Sequence, residues 1–412
     1  MSPLVKRLVL IFGLLFITFA IGFAMYKVFK GTELETGPKT PPKSATSTRS
    51  GNLGRGGERT PGTETGTETG GEGELPNANV IAPPKGQNFY RPEKESQVTK
   101  DYALFTSVGS SGGTRYHNAS DGKFYVIAPD GTAKALSNQV FYNVKNVVWS
   151  KAADRAVIEY PDNTKIIYDF DSNKQVTLPK HWEDFSFSPD GNEIAAKSLG
   201  IAPENRWLIT MKNDGTGTKL IEPLGENAGK VTMDWSPSRQ TVAFSQTGEP
   251  QGADRREVLF IGLNGENFKS IIVEGLDFQS QWSPTGQKLI YSVDSARSDY
   301  KPELWVVSSY GDNIGNSRQM LKVNTWANKC TFMNDQTVIC GVPRELPEGA
   351  GMSPAIAADT PDDLYKIDLK TGIRTPINLS KDYTIDSITF NAATNKVIFT
   401  DHHVSGAFEV PL

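Results

Sequence analysis

An aromatic residue followed by a Ser-Pro-type turn recurs along this chain. It reads Phe187-Ser188-Pro189-Asp190-Gly191, Trp235-Ser236-Pro237 and Trp282-Ser283-Pro284-Thr285-Gly286, with degenerate copies at Trp149-Ser150, Phe332 and Phe390. The aromatics are separated by 38, 48, 47, 50 and 58 residues. Eight or nine residues after each comes the end of a short apolar strand, at Ile158, Ala196, Phe244, Tyr291, Cys340 and Phe399. A period of roughly 40–50 residues with several short strands per copy is the mark of propeller blades.

One unit parses in full. Val231-Thr232-Met233-Asp234-Trp235 reads as a strand, Ser236-Pro237-Ser238-Arg239 as a turn, and Thr241-Val242-Ala243-Phe244-Ser245 as the returning strand. Proline presets the second turn position, and Ser, Asp and Gly suit the others. Glu257 to Ile261 makes a third strand, Asn264-Gly265 a tight turn, and Ser270 to Val273 a fourth. Four antiparallel strands form one blade, and blades must stack into a closed ring to bury both faces. The aromatics Trp149, Phe187, Trp235, Trp282, Phe332 and Phe390 are expected to plug the gaps between blades. The last unit, from Ile385, lacks a fourth strand. If the region Tyr102 to Ser137 forms its own blade the ring has seven blades, and if it completes the last blade the ring has six; seven is favoured. The fold class is all-β, a β-propeller.

The propeller occupies residues 101–412 of the 412-residue chain. Ahead of it, Leu8 to Tyr26 is uncharged and flanked by Lys6-Arg7 and by Lys27. That length spans a bilayer as a helix, so residues 1–30 read as a short tail and a transmembrane anchor. A cleaved signal peptide is the competing reading, with Ala20-Ile21-Gly22 as its weak cleavage site. Residues 31–100 are rich in Gly, Thr, Glu and Pro. They offer too few apolar side chains to offset chain entropy, so they read as a disordered linker.

The Ser188-Pro189-Asp190-Gly191 turn after an aromatic, with later strands ending in Asp-Gly, resembles the TolB-type, WD-repeat-like propellers of bacteria. The resemblance covers about residues 101–412. It implies a propeller of a kind that serves as scaffold, receptor or enzyme partner. Only one unit keeps the full turn, and no unit carries the Trp-Asp pair of eukaryotic repeats.

Two cysteines, Cys330 and Cys340, lie symmetrically about Asp335 in one hairpin. Strands folded about that point set the sulfurs opposite each other, within disulfide range. A bridge implies an oxidising compartment. With the anchor, it leads to a single-pass protein with a cytoplasmic N-terminus and an extracytoplasmic propeller.

The candidate chemistry is thin. Gly109-Ser110-Ser111-Gly112-Gly113 matches a nucleophile-elbow pattern, but that motif needs a helix after it, and Thr114-Arg115-Tyr116-His117 reads as extended. Asp401-His402-His403 is the densest ligand-like cluster, yet neighbours on a strand point to opposite faces. Asp169, Asp171 and Asn173 begin like a calcium loop without its glycine and glutamate. The loop Gln251 to Glu257 and the insertion Pro343 to Asp363 are the long connections where binding tends to reside. A net charge of −4 provides no basic field for nucleic acid. No motif calls for a cofactor or a metal. The expectation is a non-enzymatic scaffold in a bacterial envelope that binds an envelope protein or peptide. The alternatives are a hydrolase or lyase acting on sugars or lactones through the central channel, and a self-assembling surface protein.

Overall fold

The computed structural model describes residues 95–252 and 254–412. The apolar stretch 8–26 and most of the linker lie outside the described residues. Among the described residues, no helix is long and apolar enough to cross a membrane.

The described residues form seven antiparallel sheets of four strands each. Numbered in chain order, blade 1 lies within 103–135, blade 2 within 146–178, blade 3 within 182–223, blade 4 within 231–273, blade 5 within 276–320, blade 6 within 330–377 and blade 7 from 385 on. Blade 1 begins with Ala103–Val108 and Thr114–Asn118, so the region left between two assignments by sequence is a blade of its own. Blade 7 contains Ile385–Asn391, Lys396–Asp401 and Ala407–Pro411. Its missing outer strand is Ser96–Thr99, paired with Ala407–Pro411 through Ser96↔Glu409 and Gln97↔Phe408. The first strand of the domain thus completes the last blade, and these four residues belong to the sheet rather than to the linker. Glu95 fixes the entry point by accepting hydrogen bonds from the Ser380 backbone N–H (2.9 Å) and the Tyr383 hydroxyl (3.2 Å).

Alternation along the strands explains the stacking. In Lys288–Asp294 of blade 5, Leu289, Tyr291 and Val293 pack with Phe244 and Phe260 of blade 4, whereas Ile290 packs with Cys330 and Val338 of blade 6. Side chains on a strand point alternately to its two faces, so each blade meets both neighbours. A separate apolar cluster fills every one of the seven junctions.

The inner strand of each blade has an unpaired edge facing the channel, which side chains of adjacent blades partly satisfy. Ser186 Oγ accepts from Trp235 N–H (2.9 Å), and Thr331 Oγ1 accepts from Phe390 N–H (3.0 Å). The plug aromatics reach the other way. Trp149 Nε1 donates to the Phe105 carbonyl (2.8 Å), and Trp282 Nε1 to that of Asp234 (3.3 Å). The aromatic therefore grips the preceding blade while the residue before it grips the following one. The turn glycine also serves packing. Gly191 has φ +69, and a Cβ there would lie 2.7 Å from Ser150 Oγ in the neighbouring blade's turn.

Cys330 and Cys340 are opposed in register and joined as a disulfide, with α-carbons 4.0 Å apart. Both are fully buried in the junction between blades 5 and 6.

Candidate functional site

The ring has two unlike ends. On the turn face, inner strands end in the aromatic-Ser-Pro turns, and a cavity of about 690 Å³ opens into the channel. Trp149, Phe187, Trp235, Trp282, Phe332 and Phe390 all border it, so residues that plug the junctions also form its wall. Pro189, Pro237 and Pro284 make a rigid collar.

The polar groups of this cavity come from different blades. Asp234 is a half-buried part of its wall, and its carboxylate accepts a long hydrogen bond from Ser280 Oγ at 3.4 Å, with the Trp282 indole beside it. Removal from bulk water pushes its carboxyl pKa up to about 7, with Lys151 opposing the shift and Asp184 adding to it. Gln281 Oε1 is sealed from solvent and has no hydrogen-bond partner. Lys151 lies at the rim and is exposed. By sequence Asp234 is legible only as a strand residue, and Gln281 is unmarked. Their signal was the position just before each aromatic, occupied by Val148, Ser186, Asp234, Gln281, Thr331 and Thr389, where the single acid stands out.

The loop face carries the connections between second and third strands. The longest, 344–361, lies as a strap across three blades. Gly349 and Gly351 N–H donate to the Asp299 and Tyr300 carbonyls of blade 5 (2.9 and 2.7 Å). On its other side Asp359 meets His403 Nε2 of blade 7 at 3.2 Å. Ala350, Ala357 and Leu346 pack on Trp326 beneath it, while Met352 and Ile356 remain about half exposed. Among the described residues, six of the ten exposed large apolar side chains lie on this face: Tyr102, Tyr142, Ile201, Met352, Ile356 and Val404. Under the strap Asp294 is 1 % exposed and its Oδ2 has no hydrogen-bond partner. Burial first, and the Asp277 carboxylate second, push its pKa up to about 6.

The other candidate residues take ordinary places. Gly109 to Gly113 is the first turn of blade 1, joining two strands with no helix after it, so the nucleophile-elbow geometry is not formed. Asp169 Oδ1 accepts from the Ser172 N–H and hydroxyl (both 2.8 Å), which closes a hairpin turn around itself. His117 is buried and its Nε2 lies 3.0 Å from the Phe141 carbonyl; burial lowers its pKa. His402 and His403 stand on an exposed connection facing Asp386 (3.8 Å) and Asp359. Among the described residues, no group of three or more His, Cys, Asp or Glu is placed to hold a metal ion.

No protein-family model matches the sequence, and no curated protein matches it. Solved structures do. The propeller domain of Cps50 (Swd1) from Myceliophteria thermophila is 11 % identical over 77 % of this chain and 98 % of that one, with a TM-score of 0.53. An oligogalacturonate lyase in complex with manganese is 11 % identical over 77 % and 93 %, with a TM-score of 0.52. Hydrazine synthase from Kuenenia stuttgartiensis is 9 % identical over 77 % and 97 %, with a TM-score of 0.50. At these identities the likeness is one of fold: the seven-bladed β-propeller is shared, and the resemblance to TolB-type propellers rests on the turn motif alone.

Proposed function

We propose that this chain is a non-enzymatic binding scaffold of the bacterial envelope, anchored through residues 8–26 and presenting its propeller outside the cytoplasm. Its partner is an envelope protein or peptide. The observation that carries the reading is the apolar enrichment of the loop face, with Met352 and Ile356 held outward on a strap that is itself fastened to blades 5 and 7. Exposed apolar side chains on a preorganised surface are the usual anchors of protein contacts, because rigidity lowers the entropic cost of binding. The buried disulfide supports the extracytoplasmic side.

The test is photo-crosslinking in native membranes. A photoreactive residue at Ile356 is expected to give one discrete adduct, and one at Leu220, on the outer strand of blade 3, none. Met352→Glu is expected to weaken the adduct at least roughly tenfold. Equal adducts from both positions would refute the reading. Protein alkylated before and after reduction is expected to gain two labels only after reduction; labelling of both thiols beforehand places the propeller in a reducing compartment.

A further inference from the structure

We infer that the turn-face cavity is a second binding site, one that receives a basic side chain, arginine or lysine, from an extended segment of a partner protein. It lies at the opposite end of the ring from the strap and does not depend on the loop-face reading.

The chemistry of the walls selects the occupant. The acidic group in the wall is an acceptor with capacity to spare: the half-buried Asp234 carboxylate, which takes a 3.4 Å hydrogen bond from Ser280 Oγ and weak donation from the Trp282 indole. A recessed carboxylate with only weak donors has lone pairs left over, which a ligand bringing several N–H groups fills. A guanidinium or ammonium group supplies them with a charge opposite to that of Asp234. Trp235 and Trp282 flank this carboxylate, and indole rings attract cations. The collar of Pro189, Pro237 and Pro284 admits an extended segment without reorganising. The raised pKa of Asp234 agrees with a charge held without a partner in a recessed place. Among the described residues no ion pair joins it to Lys151, whose ammonium group at the rim attracts that carboxylate charge and opposes an entering cation.

The full chain in detergent is titrated with a blocked Gly-Gly-Arg-Gly-Gly peptide while tryptophan fluorescence is read. Trp149, Trp235 and Trp282 at the mouth report occupancy. Saturation is expected, and replacing the arginine by neutral citrulline is expected to weaken binding about tenfold or more. Asp234→Asn is expected to weaken it by a similar factor. Lys151→Gln is expected to strengthen binding a few-fold, an effect that damage to the fold does not produce. Met352→Glu is expected to leave it unchanged. Equal affinity for arginine and citrulline peptides overturns the proposal, as does wild-type affinity in Asp234→Asn. Weaker binding after Lys151→Gln overturns it too, and would mark an anionic ligand. Lack of saturation by about 10 mM peptide, a level at which even millimolar sites fill, counts equally against it.

Discussion

The left-handed turn positions show how single residues trade conformation against contact. Gly191 combines φ +69 with a close approach to Ser150, so Gly191→Ala meets both backbone strain and a clash. We expect it to cost about 2–3 kcal/mol in denaturant unfolding. The equivalent position in the next turn is Arg239, at φ +66, whose guanidinium pairs with Asp190 at 2.9 Å. An exposed pair of that kind contributes about 0–1 kcal/mol, less than the strain of the backbone. Arg239→Gly is therefore expected to stabilise the protein by roughly 0.5–1 kcal/mol. Asp294 gives a pH signature. Its folded pKa of about 6 lies above the ordinary aspartate value of 3.8, so the folded state holds the proton more tightly. The resulting penalty is absent below the ordinary value, grows between the two, and is complete above the folded value. The difference in unfolding free energy between Asp294→Asn and the parent should accordingly widen in favour of the variant from pH 4 to pH 6.5. A difference that stays flat across that window would refute the assignment.

At the scale of strands and hairpins, closure depends on Ser96–Thr99. Removing it leaves the Ala407–Pro411 edge open and strips Glu95 from Ser380 and Tyr383. A fragment beginning at residue 101 should be less stable than one beginning at 95 by roughly 2–4 kcal/mol, measured by thermal and urea unfolding. Most strands were readable because period-two alternation and Ser-Pro or Asn-Gly turns are local signals. The Cys330–Cys340 register was readable for the same reason, although the register shifts between Phe332 and Asn334, close to the turn. Ser96–Thr99 was not. Its sequence, Ser-Gln-Val-Thr, holds one apolar residue and follows the charged run Arg91-Pro92-Glu93-Lys94-Glu95, and its partner lies more than 300 residues away. The cavity was equally hidden. Asp234 and Gln281 belong to different blades, and neither sits in a motif that announces chemistry. Only the closed ring brings them to one mouth.

For the molecule as a whole, the consequence of the ring is a division of labour between its ends. The turn face is assembled from seven similar hairpins and is rigid because each turn packs on the next, as Gly191 does on Ser150. The loop face is where blades differ, and the strap is its largest departure from repetition. The strap contributes little to the ring itself: its main ties are two backbone hydrogen bonds to blade 5, the Asp359–His403 contact to blade 7, and a small cluster on Trp326. Each blade junction, by contrast, carries its own buried cluster. Replacing 345–360 by a short Gly-Ser link should thus leave the seven-bladed sheet signal and the turn-face cavity intact, with a modest loss of about 1–3 kcal/mol. It should also abolish crosslinking from the loop face. Hydrogen exchange provides the local reading: the amides of Gly349 and Gly351 in the parent should exchange faster than those of Ile290 or Val338, which belong to the sheets. Equal protection of strap and sheet amides would mean that the strap unfolds only with the ring, and a partner surface built on it would then be part of the scaffold's own core.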